Sequence, residues 1–167
     1  MIGLSRLSLN QATVRNLTAA DAIRLCVKHE IPGIGLWRDR VAELGLATTA
    51  AAVRSAGLHV SSLCRGGFFT HADADARAAA LADNRAAVNE AAELQADTLI
   101  LVSGGLVPGS RDLALARRMI ADAIAELVLA AGYTSYAEVE ILNADIWDAP
   151  ADETALQVRS RFADLLG

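Results

Sequence analysis

The chain has 167 residues, a formal net charge of −5, 53% hydrophobic residues and 4% aromatic ones. That length suits one domain, residues 1–167, with a sizeable core, but falls short of the about 250 residues that a closed eight-stranded α/β barrel uses. A sequence pI near 5.1 argues against a nucleic-acid surface, no uncharged apolar run reaches about 18 residues to span a membrane, and Met1–Asn10 lacks the apolar run of a signal peptide.

In chain order, short apolar runs alternate with helical periodicity. Ile2–Leu9 reads as a strand. Thr18 caps a helix with Ala19, Ile23, Cys26 and Val27 on one face, and Asp21 sits at the third position. That helix carries Lys28, the only lysine, so lysine-imine chemistry and covalent pyridoxal phosphate have no candidate in a pocket. Gly33–Trp37 is a second strand. Thr48 or Thr49 caps a helix over 50–56, and Gly57 suits the position just past its end. His59–Cys64 is a third strand, followed by a long helix within Ala72–Gln95. Thr98–Ser103 is a fourth strand. Ser110 caps a helix whose apolar face is Leu113, Ala116, Ile120, Ala123, Ile124 and Leu127, with Gly132 at its end. Tyr136–Leu142 is a fifth strand. A last helix from Asp152 turns Ala155, Val158, Phe162, Leu165 and Leu166 inward.

Strands alternating with helices predict a parallel sheet. Right-handed crossovers to successive neighbours put every helix on one side. The expectation is an α/β fold, a parallel (β/α) partial TIM barrel of five strands with helices on one side. Cys26 and Cys64 make no CxxC pair, so a reduced, cytoplasmic setting is expected.

Sites in such folds form at the C-terminal ends of the strands. Here those ends carry Asn10 and Gln11; Trp37, Arg38 and Asp39; Cys64, Arg65, Gly66 and Gly67; Ser103 to Gly105; and Glu140 to Asn143. On the fifth strand, period-2 alternation puts Tyr136, Glu138, Glu140 and Leu142 on the face away from the helices. Buried carboxylates need arginines, a metal or water. Ion pairs of Glu138 or Glu140 with Arg65 or Arg38 are one reading; for Glu140, ligand or base is the other. Gly66 and Gly67 let backbone approach a ligand, and Arg65 holds a carboxylate or phosphate, or else the segment is a tight turn with a surface arginine. The Ser103–Ser110 connection lacks a P-loop lysine and reads as a glycine-rich link. His29 and His59 read as structural; His71 could reach a pocket. Asn84, between Leu81 and Val88 on an apolar helix face, reads as a hydrogen-bonded core residue. Cys64 has no partner pattern of a nucleophile.

The segments Leu9-Asn10-Gln11-Ala12-Thr13, Gly35-Leu36-Trp37-Arg38-Asp39, Ser62 to Phe69, Asp83-Asn84-Arg85 and Gly104-Gly105 before Gly109-Ser110-Arg111-Asp112 resemble the sugar phosphate isomerase/epimerase family. That family belongs to the xylose-isomerase-like TIM barrels, with endonuclease IV a distant relative. Ala131 to Asn143, with Trp147, resembles the family's eighth strand and its approach. Residues 1 to about 127 match the first four βα units. Strands five to seven have no counterpart.

The resemblance implies a sugar or sugar-phosphate isomerase or epimerase that moves a proton through an enediolate with help from a divalent metal (Mn, Mg, Co or Zn). Glu140 would be ligand and base. Trp37, Arg38, Arg65, Gly66, Gly67 and Asn10 would shape the substrate pocket. The family holds its metal with a Glu, an Asp, a His and a Glu from strands five to eight, and only the last has a counterpart, Glu140. One isolated chain is therefore not expected to hold the ion tightly, and activity is expected to be impaired. The alternative is a non-catalytic half-barrel, a binding or assembly module. Expected partners are a small carbohydrate or sugar phosphate and, because one sheet face lacks helices, a second copy of the chain; no nucleic acid or membrane is expected.

Overall fold

The computed structural model describes residues 3–132 and 148–166. The fifth strand expected at Tyr136–Leu142, with Glu138, Glu140 and Trp147, lies outside them. Among the described residues there are four strands and six α-helices: β1 (Ser8–Asn10), α1 (Ala19–Lys28), β2 (Gly33–Trp37), α2 (Arg38–Leu44), α3 (Leu46–Ser55), β3 (His59–Gly67), α4 (Ala74–Glu93), β4 (Leu99–Val102), α5 (Leu113–Ala130) and α6 (Ala151–Leu166). The strands pair in the order β1-β2-β3-β4, all parallel. That is the winding of a barrel. No helix of the described residues is long and apolar enough to cross a membrane.

Alternation along the strands divides the sheet, with the phase of β3 shifted by irregularities at Ser61 and Arg65. Leu9, Ile34, Leu36, Val60, Leu63 and Leu99 point to one face, where Ala22, Ile23 and Cys26 of α1, Val41 of α2, Ala50 and Val53 of α3 and Ala91 of α4 pack on them. Burying each such aliphatic side chain contributes roughly 1.5–3 kcal/mol. A second cluster joins Phe69 to Ala123 and Leu127 of α5, with Leu81 of α4 and Leu101 of β4 against it. On the opposite, concave side stand Ser8 and Ser61, whose hydroxyls meet at 2.6 Å, and the half-exposed Ile100 and Val102.

Several boundaries differ from the sequence-based expectations. Leu4–Arg6 is a 3-10 turn, not strand, and β1 starts only at Ser8. Its partner β2 follows Pro32, which has no N–H to extend the ladder upstream. The helix expected over 50–56 is α3, which starts four residues earlier at Leu46, and α2 precedes it where no helix was expected. Gly45, with φ +94°, separates α2 from α3, a conformation that a side chain would resist. Thr48 and Thr49 cap nothing; the buried Thr49 hydroxyl donates to Gly45 O at 2.9 Å. Gly57 does close α3: its N–H reaches Arg54 O, and that of Leu58 reaches Val53 O, the two bonds of a Schellman end. At α5 the cap is Asp112, whose carboxylate accepts from Leu115 N, while Ser110 Oγ accepts from Asp112 N. β3 runs three residues past Cys64, through Arg65, Gly66 and Gly67, because Gly66 and Gly67 pair with Leu101 and Val102 of β4.

Candidate functional site

The C-terminal ends of β1, β2 and β3 bring three of the expected residues together. Asn10 Oδ1 accepts from Trp37 Nε1 at 2.9 Å and from Ala12 N at 2.9 Å. That clamp fixes the indole above the end of β1. Gly35 makes room for it: a Cβ there would lie 3.0 Å from Asn10 Nδ2 and 2.8 Å from Ser62 Oγ. The Arg65 guanidinium stands 5.9 Å from the Trp37 ring centre and 4.7 Å from that of Phe68. Phe68 holds φ +59° and keeps 42% of its surface exposed. An aromatic residue in the left-handed region costs of order 1 kcal/mol or more, and such strain collects at binding sites. Asn10, Trp37, Arg65 and Phe68 thus form an aromatic and cationic wall at the barrel mouth.

Arg38, Gly66 and Gly67 face a different task. Arg38 turns toward α4, where its guanidinium donates to Glu90 at 2.7 and 3.0 Å and to both Asp83 oxygens at 2.9 Å. The hydrogen bonds it donates to Glu90, then to Asp83, drive its pKa further up, and the bond from Arg38 holds the Asp83 carboxyl below the usual carboxylate range. Arg38 is thus paired with two carboxylates of α4; Glu138 and Glu140, the partners expected for Arg38 or Arg65, lie outside the described residues. Asp83 and Glu90 are seven apart, two helical turns on one face. Gly66 and Gly67 pack against protein, not open space. A Cβ on Gly66 would lie 2.8 Å from Leu101 and would strike Asn84, and one on Gly67 would overlap the Val102 backbone. Asn84, fully buried, is the hydrogen-bonded core residue that its sequence position implied.

Beside the wall, between the 3-10 turn that follows β1 and the start of α2, opens a cleft of about 530 Å³ lined by Gln11, Ala12, Arg15, Asn16, Trp37, Asp39 and Arg40. That volume lies within the range of small-molecule sites. Gln11 is 1% exposed. Its Oε1 accepts from Trp37 N at 3.2 Å, and its Nε2 has no hydrogen-bond partner among the described residues. Leaving a buried donor unmade costs about 1–3 kcal/mol. Arg15 and Asn16 gave no signal in the sequence. Gln11 was visible as a strand-end residue, but its burial was not.

The remaining sequence candidates lie elsewhere or are inert. Burial pushes the Cys64 thiol up, which disfavours a thiolate nucleophile. His59 pairs with Asp97 at 2.6 Å at the opposite end of β3. His71, in the link to α4, offers its carbonyl to Arg77. No group of three or more His, Cys, Asp or Glu able to hold a metal occurs among the described residues, so these residues do not fit the divalent ion that the resemblance implies. Glu140 lies outside them.

A family model described as xylose isomerase-like TIM barrel matches residues 18–155. The crystal structure of protein SMc04130 from Sinorhizobium meliloti 1021 is similar at 48% identity and a TM-score of 0.73, over 78% of this chain and 49% of that one. The chain spans about half the length of that relative. No curated protein matches it.

Proposed function

Because this chain belongs to the xylose isomerase-like TIM barrel family, we propose that its strand-end wall binds a sugar or sugar phosphate for isomerisation or epimerisation. The observation that carries the reading is the clamp of Asn10 on Trp37 with Arg65 and Phe68 alongside. An indole and a phenyl ring offer apolar faces to the C–H side of a sugar. Arg65, unlike Arg38, has no carboxylate partner among the described residues, and its planar fork suits a phosphate or carboxylate. Asn10 supplies an amide at the rim. In this reading Glu140 takes the proton from the hydroxyl-bearing carbon beside the carbonyl and returns it to the former carbonyl carbon. The hydroxyl proton passes to the former carbonyl oxygen, so the carbonyl and hydroxyl exchange places. Epimerisation would need a second acid on the opposite face of the same carbon. An arginine near the resulting enediolate stabilises its charge.

A second reading is a non-catalytic half-barrel that binds or assembles without turnover. It is favoured by Arg38, Gly66 and Gly67, which hold α4 in place.

One experiment separates the two. The chain is incubated with D-fructose or fructose 6-phosphate in deuterium oxide containing Mn²⁺. Deuterium entering at the carbon next to the carbonyl, and lost in Glu140→Gln, supports the isomerase reading. Binding without exchange assigns the module. Absence of binding overturns the carbohydrate assignment.

A further inference from the structure

The N-terminal ends of β1, β2 and β3 carry a second cluster of polar side chains, at the end of the sheet opposite the wall. Ser8, Gly33 and His59 stand in one row across the three strands, because Ser8 pairs with Gly33 and Gly33 with His59. Ser61 joins them, its hydroxyl 2.6 Å from that of Ser8. Gly33 leaves a gap in the middle of the row, where a Cβ would lie 2.9 Å from that of Ser8. The gap belongs to a notch of about 320 Å³, which Arg6 of the 3-10 turn and Asp97 of the link from α4 to β4 also line.

Three groups of this lining are open to a ligand. Arg6 has no carboxylate partner among the described residues. His59 Nε2 lies 2.6 Å from Asp97 Oδ2. A carboxylate only accepts, so Nε2 carries the hydrogen and the neutral ring keeps a lone pair on Nδ1. Of the two serine hydroxyls one donates to the other, and the hydrogen left over has Ile34 O as its alternative at 3.4 Å from Ser61 Oγ, a long bond.

We propose that this notch binds a tetrahedral oxyanion that still carries a proton, hydrogen phosphate being the simplest. Arg6 and a serine hydroxyl donate to its oxygens, and His59 Nδ1 accepts from its P–OH. At neutral pH phosphate offers acceptors and a hydroxyl together, whereas sulfate offers acceptors alone. Arg6 supplies the opposite charge. Asp97, the acid of the lining, holds His59 in the tautomer that accepts. The notch lies at the far end of the strands from Trp37 and Arg65, so the inference does not depend on the carbohydrate reading.

The test titrates the ¹⁵N-labelled full chain with inorganic phosphate at neutral pH and constant ionic strength. NMR follows the Arg6 side chain, the His59 ring and the backbone amides of Ser8 and Gly33. Saturable shifts at these positions are expected, with sulfate severalfold weaker and chloride silent. Arg6→Gln should weaken phosphate about tenfold, the worth of one charge-assisted hydrogen bond, and Ser8→Ala severalfold. His59→Leu, at an exposed position, should erase the preference for phosphate over sulfate, a change that loss of a merely structural contact would not make. Arg54→Gln, in the last turn of α3, should change nothing. Chloride shifting the same signals as strongly as phosphate would reduce the effect to screening and overturn the inference. Sulfate binding as tightly as phosphate would remove the proton acceptor and overturn it too. Phosphate shifts confined to Arg65 and Phe68 would place the anion at the wall and leave the notch without a ligand.

Discussion

Asn84 and Gly67 bind each other in both directions. Gly67 N donates to Asn84 Oδ1 at 2.5 Å, and Asn84 Nδ2 donates back to Gly67 O at 2.9 Å. The side-chain amide stands where another backbone would, and its second N–H returns to Ala80 O at 2.8 Å on its own helix. This pair welds the end of β3 to the middle of α4, and it sets where Arg65 and Phe68 emerge. A Cβ on Gly66 would strike Asn84, and one on Gly67, which holds φ +107°, would overlap the Val102 backbone of β4.

Asn84→Ala leaves the N–H and C=O of Gly67 without that partner. With about 1–3 kcal/mol for each buried group left unpaired, we expect a loss of about 2–4 kcal/mol in urea unfolding. Asn84→Leu should be at least as damaging, because it adds bulk against Gly66 and restores no bond. A loss below about 1 kcal/mol for Asn84→Ala would show that the pair does not hold β3.

The Arg38 cluster predicts a pH dependence. The folded-state pKa of Asp83 is lowered, so its contribution is complete above the usual carboxylate value near pH 4 and is lost as pH falls through the lowered value. Asp83 is 61% exposed, which limits the effect to about 0.2–1 kcal/mol. Asp83→Asn should therefore be less stable than the parent at pH 7 and indistinguishable from it at pH 2. Arg38→Met, which also strips Glu90 of its partner, should lose about 1–3 kcal/mol at pH 7. Unfolding curves at the two pH values check both.

Arg65 and Phe68 predict the opposite balance of stability and binding. Arg65 is exposed, and its contacts to Trp37 and Phe68 are worth about 0.5–1 kcal/mol. Arg65→Ala should leave the melting temperature within a few degrees of the parent and weaken sugar-phosphate binding by tenfold or more. Phe68→Gly removes the strained φ +59°, so it should cost little stability while removing one face of the wall. Calorimetric titration beside thermal melts distinguishes this from a structural role, in which both quantities would fall together.

The concave face predicts association in a solution that holds only this chain. Parallel sheets are normally covered on both faces, and here Ile100 and Val102 keep 39% and 37% of their surface exposed. A second copy is the available cover. Sedimentation at micromolar concentration should show a dimer that Ile100→Lys dissociates. A monodisperse monomer would refute self-association.

The local order of this protein was written in its sequence. Periods of two and near 3.6 mark which residues face a core, and the second placed Ile23 and Cys26 of α1 on the face that packs on the sheet, whereas Val60 and Leu63 both reach the helix side only because β3 is irregular at Ser61. The capping roles of Thr18 and Gly57 and the buried amide of Asn84 were legible for the same reason: each is decided within a few residues of chain. Other features depended on approaches between distant segments. Arg38 meets Glu90, 52 positions away. Gly66 and Gly67 continue β3 because β4 and α4 close around them. Gln11 is buried with its Nε2 unpartnered among the described residues, and no periodicity records that. The face a side chain takes follows from its own strand or helix, whereas its partner, and for Gln11 its burial, is set by the packing of elements far apart in sequence.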